Sequence, residues 1–368
     1  MYFNKLIVSQ FRNYIHLEAG LGMGINIFSG PNGSGKTSIL EALNYLCMAR
    51  GFSAQSDRHV LKNGEQFFIV EGQLSDDAWV KCTYLEGRGK KIFHDQVPLE
   101  KISAHIGRIP VVSVLPNDTD LIRESGTTRR KYLDALISQY DAEYLQALVK
   151  YEQALAQRNA ALTQFLKSGQ WDAEQIHIWE PVLIKLGMRI HAGRKNFLEA
   201  YIPVFKSVYQ KISGTQEIPD ILFDTKMSEN TEVFWKQMYR DSENRDRASG
   251  RTQVGTHRED LIFLLETEPI RERGSQGQQK SFVLALKLSN FIFLKQQKND
   301  WPVLLLDDIF DKLDHQRVEA LALLLKEYAG AQILLTDTSE LRIREIFDGI
   351  HFDNIRYFSV MEGQIQEQ

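Results

Sequence analysis

The chain is 368 residues long, 43% hydrophobic and 25% charged, with a formal net charge of −4. That length allows a large core and two domains, the composition is that of a globular protein, and the charge excludes a global basic field, so any nucleic-acid contact must come from local patches. Apolar runs of membrane-span length and a signal-like stretch after Met1 are both missing, and Cys47 and Cys82 offer neither a disulfide framework nor zinc spacing; the expectation is a cytoplasmic protein with no membrane partner.

Lys5 to Phe11 alternates like a strand, Arg12-Asn13-Tyr14 follows, and Gly20, Gly22 and Gly24 mark a turn. Ile25 to Phe28 reads as a short strand and Ser38 to Leu43 as a helix. Between them lies Gly30-Pro31-Asn32-Gly33-Ser34-Gly35-Lys36-Thr37, which fits the phosphate-loop pattern G-x-x-x-x-G-K-[ST] at every fixed position. Glycines let the backbone curl until its N–H groups face one anion, and the helix N-terminus behind adds its positive end. Lys36 is expected on the β/γ-phosphates of ATP and the Thr37 hydroxyl on Mg²⁺. A chance glycine-rich turn is the alternative; the agreement of strand, loop and helix argues against it.

A β-rich stretch comes next. Phe67 to Val70, Trp79 to Tyr84 and Lys91 to Phe93 are strand candidates with a hairpin turn at Gly87-Arg88-Gly89, and Ile109 to Leu115 is an apolar strand closed by Pro116. From Thr127 to about Lys167, and again from Pro181 to Ile212, apolar residues recur at helical spacing, as two antiparallel arms of one lobe. Asp241 to Gly255 is polar and reads as a mobile connection. Leu261 to Leu265 returns to strand, Ser281 to about Gln296 is an apolar helix, and Pro302 to Leu306 is a buried strand. Leu321 to Leu325 belongs to another helix, and Ile333 to Leu335 and Ile355 to Phe358 are late strands.

Three more stretches carry chemistry. Val303 to Leu306 runs into Asp307-Asp308, the Walker B arrangement, in which Asp307 joins Thr37 at the metal and Asp308 orients or deprotonates the attacking water. Ser275-Gln276-Gly277-Gln278, just before the apolar helix, is a helix-capping turn on local grounds, yet its place ahead of Walker B matches the core of the ABC-type signature. Asp311-Lys312-Leu313-Asp314 then falls at D-loop spacing, and Thr336 falls where such ATPases carry a γ-phosphate switch. In ABC-type heads the signature completes the site of a second chain, so the order implies an ATP-dependent homodimer with two nucleotides at its interface.

The expected fold is α/β: a P-loop ABC-type ATPase head with a β-rich subregion and an inserted helical lobe. The head takes residues 1–116 and 251–368 and the lobe residues 117–250.

Across its length the chain resembles the RecF family of bacterial recombination and replication-repair ATPases. The resemblance is carried by Phe11-Arg12-Asn13-Tyr14, the phosphate loop, Arg129-Arg130-Lys131-Tyr132-Leu133-Asp134, Gly255-Thr256-His257-Arg258-Glu259-Asp260-Leu261, Ser275 to Ser281, and Leu304 to Phe310 with Leu313-Asp314. It implies an SMC/Rad50-like head with a short arm, ATP-dependent dimerisation on DNA, and slow hydrolysis of ATP with Mg²⁺. It also implies binding to single-stranded, double-stranded and gapped or junction DNA, with RecO- and RecR-type mediators as partners in loading recombinase. Arg12 and Asn13 fall near the nucleotide in such heads; a solvent-facing turn is the alternative. Candidate DNA contacts are Arg129, Arg130 and Lys131, then Arg245, Arg247 and Arg251, and Lys90 with Lys91, each of which can equally be a solvated face. Two other classes compete. A transport-coupling ATPase fits poorly with the long helical insertion, and a structural SMC protein would need a much longer one, since a helix advances only about 1.5 Å per residue.

Overall fold

The computed structural model describes residues 1–52, 56–310, 313–328, 330–349, 352 and 354–368. The chain divides into two compact units. The first comprises Met1–Thr119, Val204–Glu217 and Ser275–Gln368, and the second Asp120–Pro203 and Ile218–Gly274.

The first unit holds two six-stranded sheets. One is antiparallel, in the order Tyr14–Gly20, Phe3–Phe11, Phe67–Leu74, Trp79–Leu85, Gly89–His94, Val97–Pro98. The strand Tyr14–Gly20 occupies a stretch for which the sequence predicts no element, ahead of the turn expected at Gly20 to Gly24; Tyr14, Leu17 and Ala19 are buried with Ile15, His16 and Glu18 exposed, so strict alternation is lost between Tyr14 and Leu17. The other sheet runs Gln364–Glu367, Ile355–Met361, Gly24–Ser29, Gln332–Asp337, Val303–Leu306, Val111–Val114. Its pairs are parallel apart from the edge strand Gln364–Glu367. Strands buried on both faces read as continuous apolar runs; Gly24–Ser29, Val303–Leu306 and Gln332–Asp337 are buried at every position.

The helix Lys36–Met48 packs against strands of both sheets. It is therefore buried nearly all round, only Thr37 and Ser38 escaping. Phe11, Tyr45 and Phe68 meet edge to face in this core at centroid distances of 5.6, 5.3 and 5.2 Å.

The second unit packs the helices Gly126–Tyr140, Ala142–Ser168, Glu180 onward, and Glu232–Ser249 with a three-stranded antiparallel sheet, Glu268–Pro269, Asp260–Leu265, Pro219–Asp224. The first predicted arm is two helices, because Asp141 leaves helical geometry and its carboxylate caps the next helix through Tyr144 N–H. The second arm is one helix, Glu180–Ser213, with Pro203 inside it; the division between the units falls there.

Two expectations are corrected. The stretch 251–274, assigned to the head, belongs to the second unit, since Asp260–Leu265 pairs with Pro219–Asp224; conversely 204–217, assigned to the lobe, belongs to the first. Asp241 to Gly255 is not a mobile connection. It is mostly the C-terminal half of the helix Glu232–Ser249, closed by Gly250 at φ 66°. That helix buries Trp235, Tyr239, Ser242 and Asp246, one face at helical spacing. Asp246 is fully buried because Arg158 meets it at 2.7 Å and also binds Glu180 at 2.9 Å.

Candidate nucleotide site

The phosphate loop joins the strand Gly24–Ser29 to the helix Lys36–Met48, at the carboxyl end of the parallel sheet where α/β folds place ligands. Two glycines are required by close approach. A Cβ on Gly30 would lie 2.2 Å from the Val360 carbonyl, and one on Gly35, where φ is 115°, would lie 2.5 Å from Tyr14 Oη and 2.6 Å from Asn13 Nδ2.

Arg12-Asn13-Tyr14 brace this loop. Asn13 Nδ2 donates to the Ser34 carbonyl at 3.1 Å, Tyr14 Oη to the Gly35 carbonyl at 3.2 Å, and Ser38 Oγ to Asn13 Oδ1 at 3.1 Å. Arg12, at φ 54°, donates from Nε to the buried Glu41 carboxylate at 2.8 Å. The sequence expectation placed both residues near the nucleotide; Asn13 sits on the loop itself, while Arg12 acts on the helix behind it.

Lys36 Nζ donates to the carbonyls of Gly30 and Pro31 at 2.8 and 3.0 Å, which aims the ammonium across the loop. Thr37 Oγ1 lies 2.9 and 3.0 Å from the two carboxylate oxygens of Asp307. Thr336 Oγ1 donates to Asp307 at 2.7 Å and accepts from the Asp308 backbone N–H at 2.9 Å. Four positions from three chain segments thus meet: Thr37 of the loop, Asp307 and Asp308 directly after Val303–Leu306, and Thr336 in Gln332–Asp337. Burial pushes the Asp307 carboxyl above the usual range, against the hydrogen bonds from Thr336 and Thr37. Asp308 adopts φ 44°, a left-handed conformation that no sequence pattern announced.

The residues present suit a nucleoside triphosphate with a divalent cation. Ser34 Oγ is buried in the loop and, among the described residues, has no hydrogen-bond partner, an unmet polar group where a phosphate oxygen would sit. Thr37 and Asp307 supply one hydroxyl and one carboxylate, the sparse donor set of Mg²⁺ sites completed by phosphate oxygens.

The signature residues are engaged elsewhere. Ser275 caps the helix Gln276–Lys298 in a capping box with Gln278: Ser275 Oγ accepts from Gln278 N–H at 3.2 Å and Ser275 N–H donates to Gln278 Oε1 at 2.7 Å. Gln278 Nε2 donates to Glu217 at 2.6 Å. Ser275 and Gln276 are exposed, Gly277 and Gln278 half-buried, and among the described residues the side-chain hydrogen bonds of Ser275 and Gln278 go to each other and to Glu217. Asp314 caps the helix His315–Lys326 and pairs with Arg317. Asp311 lies outside the described residues. Asp337, next to Thr336, is fully buried against Arg342 at 2.7 Å.

In the second unit the candidate DNA contacts separate. Arg129 is 9% exposed and grips Asp260 in a fork of 2.8 and 2.7 Å, which makes it a structural residue. Arg130 is half-buried and donates to the Glu259 carbonyl at 2.6 Å; Lys131 is exposed. Arg247 stacks on Trp171 at 4.3 Å, while Arg245 and Arg251 are exposed. In the first unit Lys90 is tied to Asp57 at 2.8 Å and Lys91 is exposed.

Sequence reasoning missed a buried hub in the second unit. Arg194 meets Asp134 at 2.9 Å, Glu259 at 2.8 Å and the Thr256 carbonyl at 2.7 Å, and His191 meets Glu259 at 2.6 Å. Its signal was the charged run Arg258-Glu259-Asp260 leading directly into the apolar stretch Leu261 to Leu265.

Comparisons with known proteins agree with this geometry. Residues 5–348 match a family model described as an AAA domain. The DNA replication and repair protein RecF of Cytophaga hutchinsonii is 37% identical over 369 residues, which span 100% of this chain and 97% of that protein. A solved structure of the recombination mediator protein RecF with ATP, from the RecFOR pathway, superposes with a TM-score of 0.88 at 29% identity and covers 100% of this chain and 97% of its own. The Smc head domain from Pyrococcus furiosus, at 17% identity and a TM-score of 0.55 over 100% of this chain and 96% of its own, shares the fold alone. The α/β ATPase-head fold expected from the sequence is the one found. No described helix is long and apolar enough to cross a membrane.

Proposed function

The chain belongs to the RecF family of DNA replication and repair proteins, and on that premise we propose that it is an ATP-gated DNA clamp of recombinational repair. Two copies close on two ATP molecules, hold DNA while closed, and part after slow hydrolysis; RecO- and RecR-type mediators receive the clamp and load recombinase.

The observation that carries the reading is the meeting of Thr37, Asp307, Asp308 and Thr336 behind the phosphate loop. Lys36 and the loop N–H groups would hold the β- and γ-phosphates. Thr37 and Asp307 would hold Mg²⁺, which when bound neutralises charge developing on the phosphates. Asp308, positioned by Thr336, would orient the attacking water or take its proton. Ser275 and Gln278, whose own partners lie away from the loop, would serve the γ-phosphate of a second copy. Glu217 would have to release Gln278 for that contact. DNA binding independent of base sequence follows from exposed cations such as Lys131, without a base-reading motif.

Hydrolysis rates with duplex, single-stranded and gapped DNA test the reading. Gapped DNA is expected to stimulate most; rates indifferent to all three would reject a DNA-gated role.

A further inference from the structure

A basic cavity of about 520 Å³ lies in the second unit, apart from the residues assigned to ATP. Arg130, Lys226, Arg245 and Arg258 line it, with Gln253 and His257, and none of its lining residues is acidic. Lys226, Arg245 and Arg258 are exposed, and among the described residues Lys226 and Arg245 have no ion-pair or hydrogen-bond partner. Among the described residues Arg258 donates to the side-chain amide oxygen of Gln253, and Arg130 to the Glu259 backbone carbonyl and Thr127 Oγ1. Four cations therefore face one concavity that has no carboxylate among its lining residues, Asp260 and Asp134 acting on Arg130 from outside it. In a protein with net charge −4 this is a local exception.

The ring of His257 lies at the wall of the same cavity. It is fixed between Tyr151 Oη at 2.9 Å and the Thr252 carbonyl at 2.9 Å. Burial pushes its pKa down to about 4, helped by Arg258, Arg130 and Arg158 and opposed by the Thr252 hydrogen bond. A neutral imidazole at the wall of a cation-lined cavity leaves the site positive but unprotonated at neutral pH. An arriving anion would relieve the mutual repulsion of the arginines.

We infer that this cavity is a phosphate-binding site, and that its ligand is a backbone phosphate of DNA. The inference rests on the proposed clamp function and adds to it a defined contact point. Forked guanidiniums suit phosphate oxygens, and a concavity, unlike a flat basic face, fixes the position of one phosphate group.

The test uses the full chain with Lys226→Ala and Arg245→Ala together. Among the described residues neither side chain holds a hydrogen bond or ion pair, and neither lies among the residues assigned to ATP, so DNA-free ATP hydrolysis should be unchanged. Binding of a fluorescent DNA duplex is followed against salt concentration with ATP and Mg²⁺. The double variant should lower the slope of log affinity against log salt by about 2. The exposed pair Arg271→Ala/Arg273→Ala serves as control. A second arm titrates inorganic pyrophosphate into the Lys36→Ala chain, with and without the cavity substitutions. Wild-type DNA binding with an unchanged slope in the cavity variant, or an equal loss in the control, overturns the site and leaves the clamp reading intact. No DNA binding by wild type, together with pyrophosphate binding that the cavity variant loses, keeps the phosphate site and rejects DNA as its ligand. Loss of both kinds of binding in the unaltered cavity overturns both.

Discussion

Replacing Arg194 by Met tests whether the helical unit is held by its buried ion hub. Arg194 is 2% exposed and makes hydrogen bonds to Asp134 at 3.0, 2.9 and 2.9 Å, to Glu259 at 2.8 Å and to the Thr256 carbonyl at 2.7 Å. Methionine fills similar volume but leaves two carboxylates without their cation. Breaking a buried pair from one side costs about 3–5 kcal/mol, two to four powers of ten in the folding equilibrium. Asp134 keeps its hydrogen bond from Tyr144 Oη, and Glu259 keeps His191 and Thr225 Oγ1 at 2.6 and 3.1 Å, so the lower half of that range is expected. Urea titration followed by hydrogen exchange in the helix Gly126–Tyr140 reads the loss. Adding Glu259→Gln to the variant should restore more than half of it, since the second orphaned charge is then gone. A single-variant loss under about 1 kcal/mol, or no rescue by Glu259→Gln, would refute the reasoning.

Gly35→Ala should weaken nucleotide binding at least about tenfold, because its Cβ would lie 2.5 Å from Tyr14 Oη at φ 115°; the backbone term alone is about 1–2 kcal/mol. Gly33→Ala, with nothing within 4 Å of the added Cβ, should do less, and equal affinities measured with a fluorescent ATP analogue would remove the close-packing argument. Stability of the first unit should fall on acidification through His105. Burial holds this histidine neutral with a pKa of about 4, against an ordinary 6.5, with His94 and Arg108 acting in the same direction and the Leu46 carbonyl opposing. A depressed histidine favours the fold fully above pH ~6.5 and loses that advantage as pH falls toward 4, about 2 kcal/mol of it by pH 5. In His105→Gln the urea midpoint should change less between pH 7 and 5; a slope equal to wild type would count against this assignment.

Much of the head was legible because its chemistry obeys fixed local spacing. The phosphate loop, the apolar strand ending in Asp307-Asp308, and Ser275-x-Gly277-Gln278 are contiguous patterns whose geometry follows from the backbone they occupy. What escaped was non-local. The stretch 251–274 leaves the head because Asp260–Leu265 finds its partner strand at Pro219–Asp224, a pairing no window of sequence contains. The helix Glu232–Ser249 was masked by Asp241, Glu243, Arg245, Asp246 and Arg247, which read as solvent-seeking until Arg158 supplies Asp246 with a buried counter-charge. The edge strand Gln364–Glu367 is short and polar, and pairs on one side only. Within the site, the sequence placed Asp307 and Thr37 together and gave Thr336 a switch role, but did not show that the Thr336 hydroxyl ties Asp307 to the backbone of Asp308.

The central claim is that ATP joins two copies of this chain. Sedimentation of the Asp308→Asn variant at micromolar concentration, with ATP and Mg²⁺ and then with ADP, tests it most directly. The account predicts a dimer in ATP, a monomer in ADP, and a monomer in ATP once Ser275→Arg is added. A species that stays monomeric in ATP, while the unaltered chain turns over at a rate independent of its concentration, would contradict it.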